Sequence, residues 1–278
     1  MAMKIPPTEN HTLRQFGIEL ARLRSLAEKS QRDIGVAAQV SGQLAGAIER
    51  GERYPSKEFA EQADQMLQGD GILIDLWERL HNDSYPHFIG ELVDAEPLAV
   101  IIRAYEPQLI PGLLQTEGYA RATLTAGNSR APVEVVERLV VGRMKRQNIW
   151  NKRNPAHMIA IVDETVIRRP IGPAGVMSSQ IGRFLDMIEQ RILKLLVIPT
   201  GRGQHPGLTG PFTLLSLTDG RDLVYVEDAL SGRMVHTPGA VRAMVLQFGD
   251  LQEVALSPDE SHRLLKDAKE GFDGSELA

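Results

Sequence analysis

Three stretches of this chain hold side chains whose types and spacing can do chemistry. In VDETVIRRPIG, Val162 to Gly172, the adjacent carboxylates Asp163 and Glu164 are followed by Arg168 and Arg169. Paired carboxylates beside arginines can run general acid–base catalysis. At the end of a strand the same residues more often close an ion-pair network, and that reading is preferred. In GRGQHPGLTGPF, Gly201 to Phe212, four glycines, two prolines and His205 make a loop. Its glycines lack the GxxxxGK[ST] spacing of a phosphate cradle, so it reads as a hairpin connection that shields a cleft. His205 has no neighbouring Ser-His-Asp or metal-ligand pattern, and the chain contains no HExxH and no CxxC. No metal or other cofactor is expected, and the chain is not read as an enzyme. The competing reading, an enzyme with a helical accessory domain, would use a cleft between Asp163, Glu164, Arg169 and His205.

The third stretch is SGQLAGAIERGERYPS, Ser41 to Ser56. Ser41 can cap a short helix over Gly42 to Arg50, and Gly51 is placed to end it in the left-handed conformation. Leu44 and Ile48 are expected on its buried side. Ser30 caps the helix before it, Gln31 to Gln39, with Ile34 and Ala38 inward. Two short helices joined by a tight turn can lay the second in a DNA major groove. Their close crossing needs a small residue midway along the first, which Gly35 supplies, with Ile34, Ala38, Val40, Ala45 and Ile48 as shared core. Around the pair, a first helix runs from about Thr12 to Lys29, with Leu13, Phe16, Leu20, Leu23 and Ala27 at helical spacing. A fourth starts at Pro55 and Ser56, burying Phe59, Ala63, Met66 and Leu67, and a fifth spans Ile72 to Leu80, packing Leu73, Leu76, Trp77 and Leu80.

The polar segment His81 to Gly90 reads as a linker, after which periodicity changes. Val-, Ile- and Leu-rich runs at Leu98–Glu106, Met158–Glu164, Leu193–Thr200, Phe212–Thr218 and Asp222–Asp228 are strand-like. Helical segments are expected at Thr116–Thr125, Val133–Asn151, Gly175–Gln190, Gly239–Glu253 and Pro258–Lys269. Irregular alternation, with three strands nearly in a row, gives an α+β domain with a mixed sheet. The expected division is residues 1–82 all-α, 83–94 linker and 95–278 α+β.

Composition narrows the function classes. With no cysteine there is no disulfide, thiolate nucleophile or thiolate metal site. No apolar run reaches the length of a membrane span, and the start MAMKIPPTENHTLRQF has no signal-peptide core. A cytoplasmic protein without a membrane partner is expected. The net charge of −5 excludes a coat of positive charge for nucleic acid, leaving room only for a local patch such as Arg32, Arg50, Arg53 and Lys57.

SQRDIGVAAQVSGQLAGAIERGERYPS resembles an Xre-type helix-turn-helix, with its Ser-Gln start, its Ile48–Gly51 I-E-R-G ending and Pro55 following. Gln39 stands where such turns usually have glycine, and Ala45 where the core residue is usually larger. The resemblance implies a five-helix, lambda-repressor-like domain that binds double-stranded DNA. It places Gly42, Gln43, Gly46 and Ala47 toward the groove, with Arg50 beside them. Gln43 is the one side chain there able to pair with a base, best an adenine, and Ala47 can touch a thymine methyl. Phosphates would be held by Gln31, Arg32, Ser41, Arg50, Arg53 and Lys57 and by helix N-terminal amides. So little reading surface in one monomer calls for a second half-site through dimerisation, for DNA shape or for a partner, and a homodimer is expected.

YEPQLIPGLLQTEGYARATL, Tyr105 to Leu124, is similar to a signature of actinobacterial regulators of the WhiJ-like, antitoxin-like group. VDETVIRRPIG, VIPTGRGQHPGLTGPFTLL and DLVYVED match its later blocks. That resemblance implies a transcriptional regulator whose larger domain, itself of unknown function, dimerises, senses a signal or binds a small companion protein encoded nearby. In PGLLQTEGYAR a helix capped by Thr116 is expected, with Leu113, Leu114 and Tyr119 packed around it. The motif is read first as a folding element. Its second reading is a partner groove, with Leu113, Leu114, Gln115, Tyr119, Arg169 and His205 as candidate contacts.

Overall fold

A computed structural model describes residues 11–81, 89–173, 175–228 and 231–275. The chain divides into two compact units with the boundary after Gly90. Within the stretch expected as linker, residues 83–88 lie outside the described residues, and Gly90–Ala95 forms a short helix.

The first unit holds α1 (His11–Leu26), α2 (Gln31–Ala37), α3 (Gly42–Glu49), α4 (Lys57–Leu67) and α5 (Ile72–His81). Serines start three of them. Ser30 accepts from the Asp33 amide while Asp33 accepts from the Ser30 amide, Ser41 Oγ accepts from the Leu44 amide at 3.1 Å, and Ser56 Oγ from the Phe59 amide at 3.1 Å. Leu13, Phe16, Leu20, Leu23, Ile34, Ala45, Ile48, Phe59, Ala63, Leu67, Leu73 and Leu80 form one core, with Ala38 and Val40 packed on it. Helical spacing predicts these core residues. It fails at Leu44, which is 37% exposed.

Backbone contact sets how α2 and α3 cross. A Cβ on Gly35 would lie 2.8 Å from the Val40 carbonyl oxygen and 2.9 Å from the Gly42 nitrogen, so only glycine fits. Past its end, α2 turns through Gln39 at φ 55°, and the Val40 amide donates back to the Gly35 carbonyl at 2.8 Å. α3 ends the same way through Gly51 at φ 71°, with the Glu52 amide on the Ala47 carbonyl. This is the left-handed helix stop that glycine favours. α4 repeats it with Gln68, and the buried Asp64 carboxylate then accepts the Gly71 and Leu73 amides at 2.8 Å each, starting α5.

The second unit adds α6 (Gly90–Ala95), β1 (Ala99–Glu106), α7 (Glu117–Gly127), α8 (Val133–Arg146), β2 (His157–Asp163), α9 (Glu164–Arg168), α10 (Val176–Glu189), β3 (Leu193–Ile198), β4 (Phe212–Leu217), β5 (Asp222–Glu227), β6 (Gly232–Val235), α11 (Pro238–Val254) and α12 (Pro258–Ser275). The sheet order is β3-β2-β1-β4-β5-β6. β1 and β2 pair in parallel, as do β2 and β3, whereas β4, β5 and β6 each run antiparallel to the strand before them in that order. It is the mixed sheet expected, with one strand more. One face carries Tyr105, Ile161, Leu196, Phe212, Leu214 and Val224 against Phe248 and Leu251 of α11. The alternate residues Ile102, Ala104, Met158, Ala160 and Val162 are buried as well, as a sheet covered on both sides requires.

The left-handed turn at Gln39 makes a stability prediction. Glycine there removes a strain of about 1 kcal/mol, so Gln39→Gly should raise the melting midpoint of the N-terminal unit by roughly 4–8 °C. Gly35→Ala should lower it, because its methyl has only backbone to meet. Calorimetry of the full chain reads both.

Candidate nucleic-acid interface

α3 has two distinct sides. Ala45, Gly46 and Ile48 are buried. Ser41, Gln43, Leu44 and Arg50 are exposed and Ala47 is half-buried. The outward side is therefore Gln43, Leu44, Ala47 and Arg50. Of the expected groove-facing set, Gln43 is exposed, Gly42 and Ala47 are half-buried and Gly46 is buried. A Cβ on Gly46 would lie 2.5 Å from Gln31 Oε1, because the Gln31 side chain lies across that turn of the helix. A Cβ on Gly42 would lie 3.0 Å from the Arg32 Cα. Both glycines lie close against α2, and Leu44 is exposed beside them.

Gln31 and Glu49 belong to an internal network. Arg24 of α1 grips Glu49 of α3 through two hydrogen bonds of 2.8 Å, and both side chains are largely buried. That grip holds the Glu49 carboxyl below its usual range against the cost of burial, with Gln31 and Arg50 helping. The glutamate of the I-E-R-G ending thus ties α3 to α1, and Gln31, expected on a phosphate, is held there.

The cations around α3 differ in readiness. Arg50 is exposed but forked onto Glu52, Nε to Oε1 and Nη2 to Oε2, each at 2.9 Å. Lys57 stands 3.6 Å from Glu61. Arg32 and Arg53 are exposed and form no ion pair within 4 Å among the described residues. A phosphate would find Arg32 and Arg53 available at once and would have to take Arg50 from Glu52.

In the second unit the PGLLQT segment is a folding element. Leu113, Leu114, Gln115 and Tyr119 are 4%, 0%, 2% and 0% exposed, so none can line a partner groove. Buried amides hold the turn from every side. Gln115 Nε2 donates to the Ile110 carbonyl at 2.7 Å and Gln147 Nε2 to the Gln115 carbonyl at 2.7 Å. Gln180 Nε2 donates to the Leu114 carbonyl at 2.9 Å while its Oε1 accepts the Thr116 amide at 2.7 Å. Trp150 Nε1 closes on the Leu113 carbonyl at 2.9 Å. Thr116 caps α7 as its position implied. The partners Gln147, Trp150 and Gln180 escaped the sequence reading. Their signal is a polar or amphipathic side chain at a phase where its segment turns inward.

The two carboxylates do not act as a pair. Asp163 accepts from Tyr105 Oη at 3.1 Å, and burial pushes its carboxyl up against that bond and the charge of His205. Glu164 turns to Thr200, accepting its amide at 3.0 Å and its hydroxyl at 3.1 Å, and to Arg168 at 2.6 Å. Those bonds hold it below its usual range, and of the expected strand-end network it forms the ion pair with Arg168. His205 packs edge-on to Tyr105 with ring centres 6.2 Å apart, and its Nδ1 is buried without a hydrogen-bond partner among the described residues. Arg169 is exposed.

Glu106, at the end of β1, titrates unusually. Burial first, and then the charge of Glu227, push it up to about 8, opposed by Arg143. The native protein thus keeps a proton that the unfolded chain releases near the ordinary value of 4.5. Stability of the C-terminal unit should fall as pH rises between these values, by up to about 1.4 kcal/mol per pH unit. Urea unfolding at several pH values should show this slope, and Glu106→Gln should flatten it.

No curated protein and no solved structure matches the chain. Residues 15–77 match the family described as a helix-turn-helix domain, and residues 89–267 match the domain of unknown function DUF5753. Among the described residues no helix is long and apolar enough to cross a membrane. With its larger unit matched almost throughout, the chain belongs to the DUF5753 family and carries a helix-turn-helix domain ahead of that unit.

Proposed function

We propose that this chain is a sequence-specific DNA-binding transcriptional regulator that works as a homodimer. The helix-turn-helix match supports DNA binding. The observation that carries the reading is the outward side of α3, where Gln43, Leu44, Ala47 and Arg50 stand free of the core, with Arg32 and Arg53 unpaired nearby among the described residues. In a dimer two such helices would meet successive major grooves about 34–36 Å apart. Gln43 pairs with an adenine edge, and Arg50, Arg53, Arg32 and Lys57 hold phosphates.

The C-terminal unit would regulate this by dimerising, by sensing a signal, or by binding a small companion protein, as in the WhiJ-like, antitoxin-like group that the chain resembles. Such a regulator would be cytoplasmic. With Leu113, Leu114, Gln115 and Tyr119 buried, any signal or partner must use other residues, of which Arg169 and the loop bearing His205 remain candidates. A ligand or companion shifts the DNA-bound population only through different affinities for its two states. Co-purification with the neighbouring small gene product tests the companion, and separate elution at micromolar concentration counts against it.

Genome-wide mapping of bound DNA tests the main reading. Arg50→Ala should weaken binding at all sites and reduce the slope of log K against log salt by about 1. Gln43→Ala should relax preference at one base per half-site. Unchanged sites and strengths in both variants would refute the groove assignment. The fork also predicts a gain. Glu52→Gln frees Arg50, so it should tighten binding several-fold at low salt, an effect absent when Arg50 is already alanine. Titrating the four proteins against one bound fragment completes that cycle.

A further inference from the structure

We propose that Leu44 is a specificity-determining residue that recognises the C5-methyl group of a thymine in each half-site; this rests on the DNA-binding reading above. The position is well defined. The Leu44 amide is held by the Ser41 cap at 3.1 Å, so the first turn of α3 is clamped where this side chain begins. The side chain is 37% exposed and lies outside the core that takes Ala45 and Ile48 of the same helix.

The surface around Leu44 is low. Gly42 sits on the backbone of Arg32 and Gly46 lies under Gln31, and neither adds a side chain of its own. Between Ser41 and Arg50, the side chains that rise outward are Gln43, Leu44 and Ala47. Gln43 carries all the hydrogen-bonding capacity of that group. Leu44 has none, and its chemistry admits one kind of base contact. The major groove presents donors, acceptors and a single apolar group, the thymine methyl. A leucine facing any other base edge would strip water from a polar group without replacing the bond. Leu44 therefore selects for thymine and against cytosine, guanine and adenine at the base pair it covers.

The test starts by selecting bound duplexes from a random pool with the full-length chain. Each thymine of the selected site is then replaced singly by deoxyuridine, which removes the methyl and leaves every hydrogen-bonding group in place. The expected result is one thymine per half-site whose replacement weakens wild-type binding about fivefold. Leu44→Ala should bind the two duplexes equally, and Leu44→Met, which keeps apolar contact, should still prefer thymine. Two results overturn the proposal: equal wild-type affinity for every uracil-substituted duplex, or a preference at each responsive thymine that survives unchanged in Leu44→Ala. A changed oligomeric state of Leu44→Ala in sedimentation would also overturn it, by making Leu44 a protein contact. Selection of no sequence by the wild type, with Arg50→Ala also without effect, would instead bring down the DNA-binding reading itself. Because Leu44 lies outside the core, an unchanged melting midpoint for Leu44→Ala is the control for folding.

Discussion

The backbone of α2 touches the backbone of the turn that follows it at Gly35, and everything on the outer side of the N-terminal unit depends on that contact. With no Cβ between them, α2 and α3 approach at backbone distance. α1 crosses α3 as closely, since a Cβ on Gly17 would stand 2.3 Å from the Glu49 carbonyl oxygen. Such distances leave α3 no freedom to roll. Its rotation about its own axis is then fixed twice more, by Arg24 on Glu49 and by Gln31 across Gly46. Which residues of α3 face outward follows from that rotation rather than from their polarity. That is how Leu44 comes to be exposed while Gly46 is buried.

The second unit solves a related problem with different chemistry. The segment from Ile110 to Thr116 satisfies only some of its carbonyls from within, and it lies in the interior. Buried carbonyls without partners are costly, so glutamine and tryptophan side chains from α10 and from the turn after α8 supply the donors. Arg143 in turn donates to Gln115 of the segment itself at 3.0 Å, and Arg183 to Gln147 at 2.6 Å. A hydrogen-bonded knot of this kind tolerates no single loss, because each amide removed leaves a buried group unmet.

Much of the architecture was legible from residue order. The five N-terminal helices, their serine caps and nearly all their core residues follow from spacing and capping chemistry, as do five of the strands. What escaped has a physical cause in each case. β6 is four residues, GRMV, too short to show alternation. α6 falls in a stretch whose polar neighbours suggested a linker. α9 follows β2 directly, so its acidic start read as the strand's own end. At the candidate interface, periodicity predicts that α3 has an inner and an outer side but cannot say which apolar residue belongs to which. Leu44 and Ala45 are adjacent, and the contacts between helices that fix the rotation of α3 decide between them. The same limit applies to PGLLQT, where an apolar run fits a groove floor as well as a buried turn until the surrounding glutamines are seen.

The separation of α3 into a gripping side and a free side bears on how such proteins diversify. Gln43, Leu44 and Ala47 are not members of the buried core that holds Ala45 and Ile48 of the same helix. A gene duplicate could acquire new targets by a handful of codon changes while keeping its scaffold intact. For the same reason the outward positions are where paralogues should diverge fastest, and a library confined to those codons would sample new binding preferences on a domain that still folds.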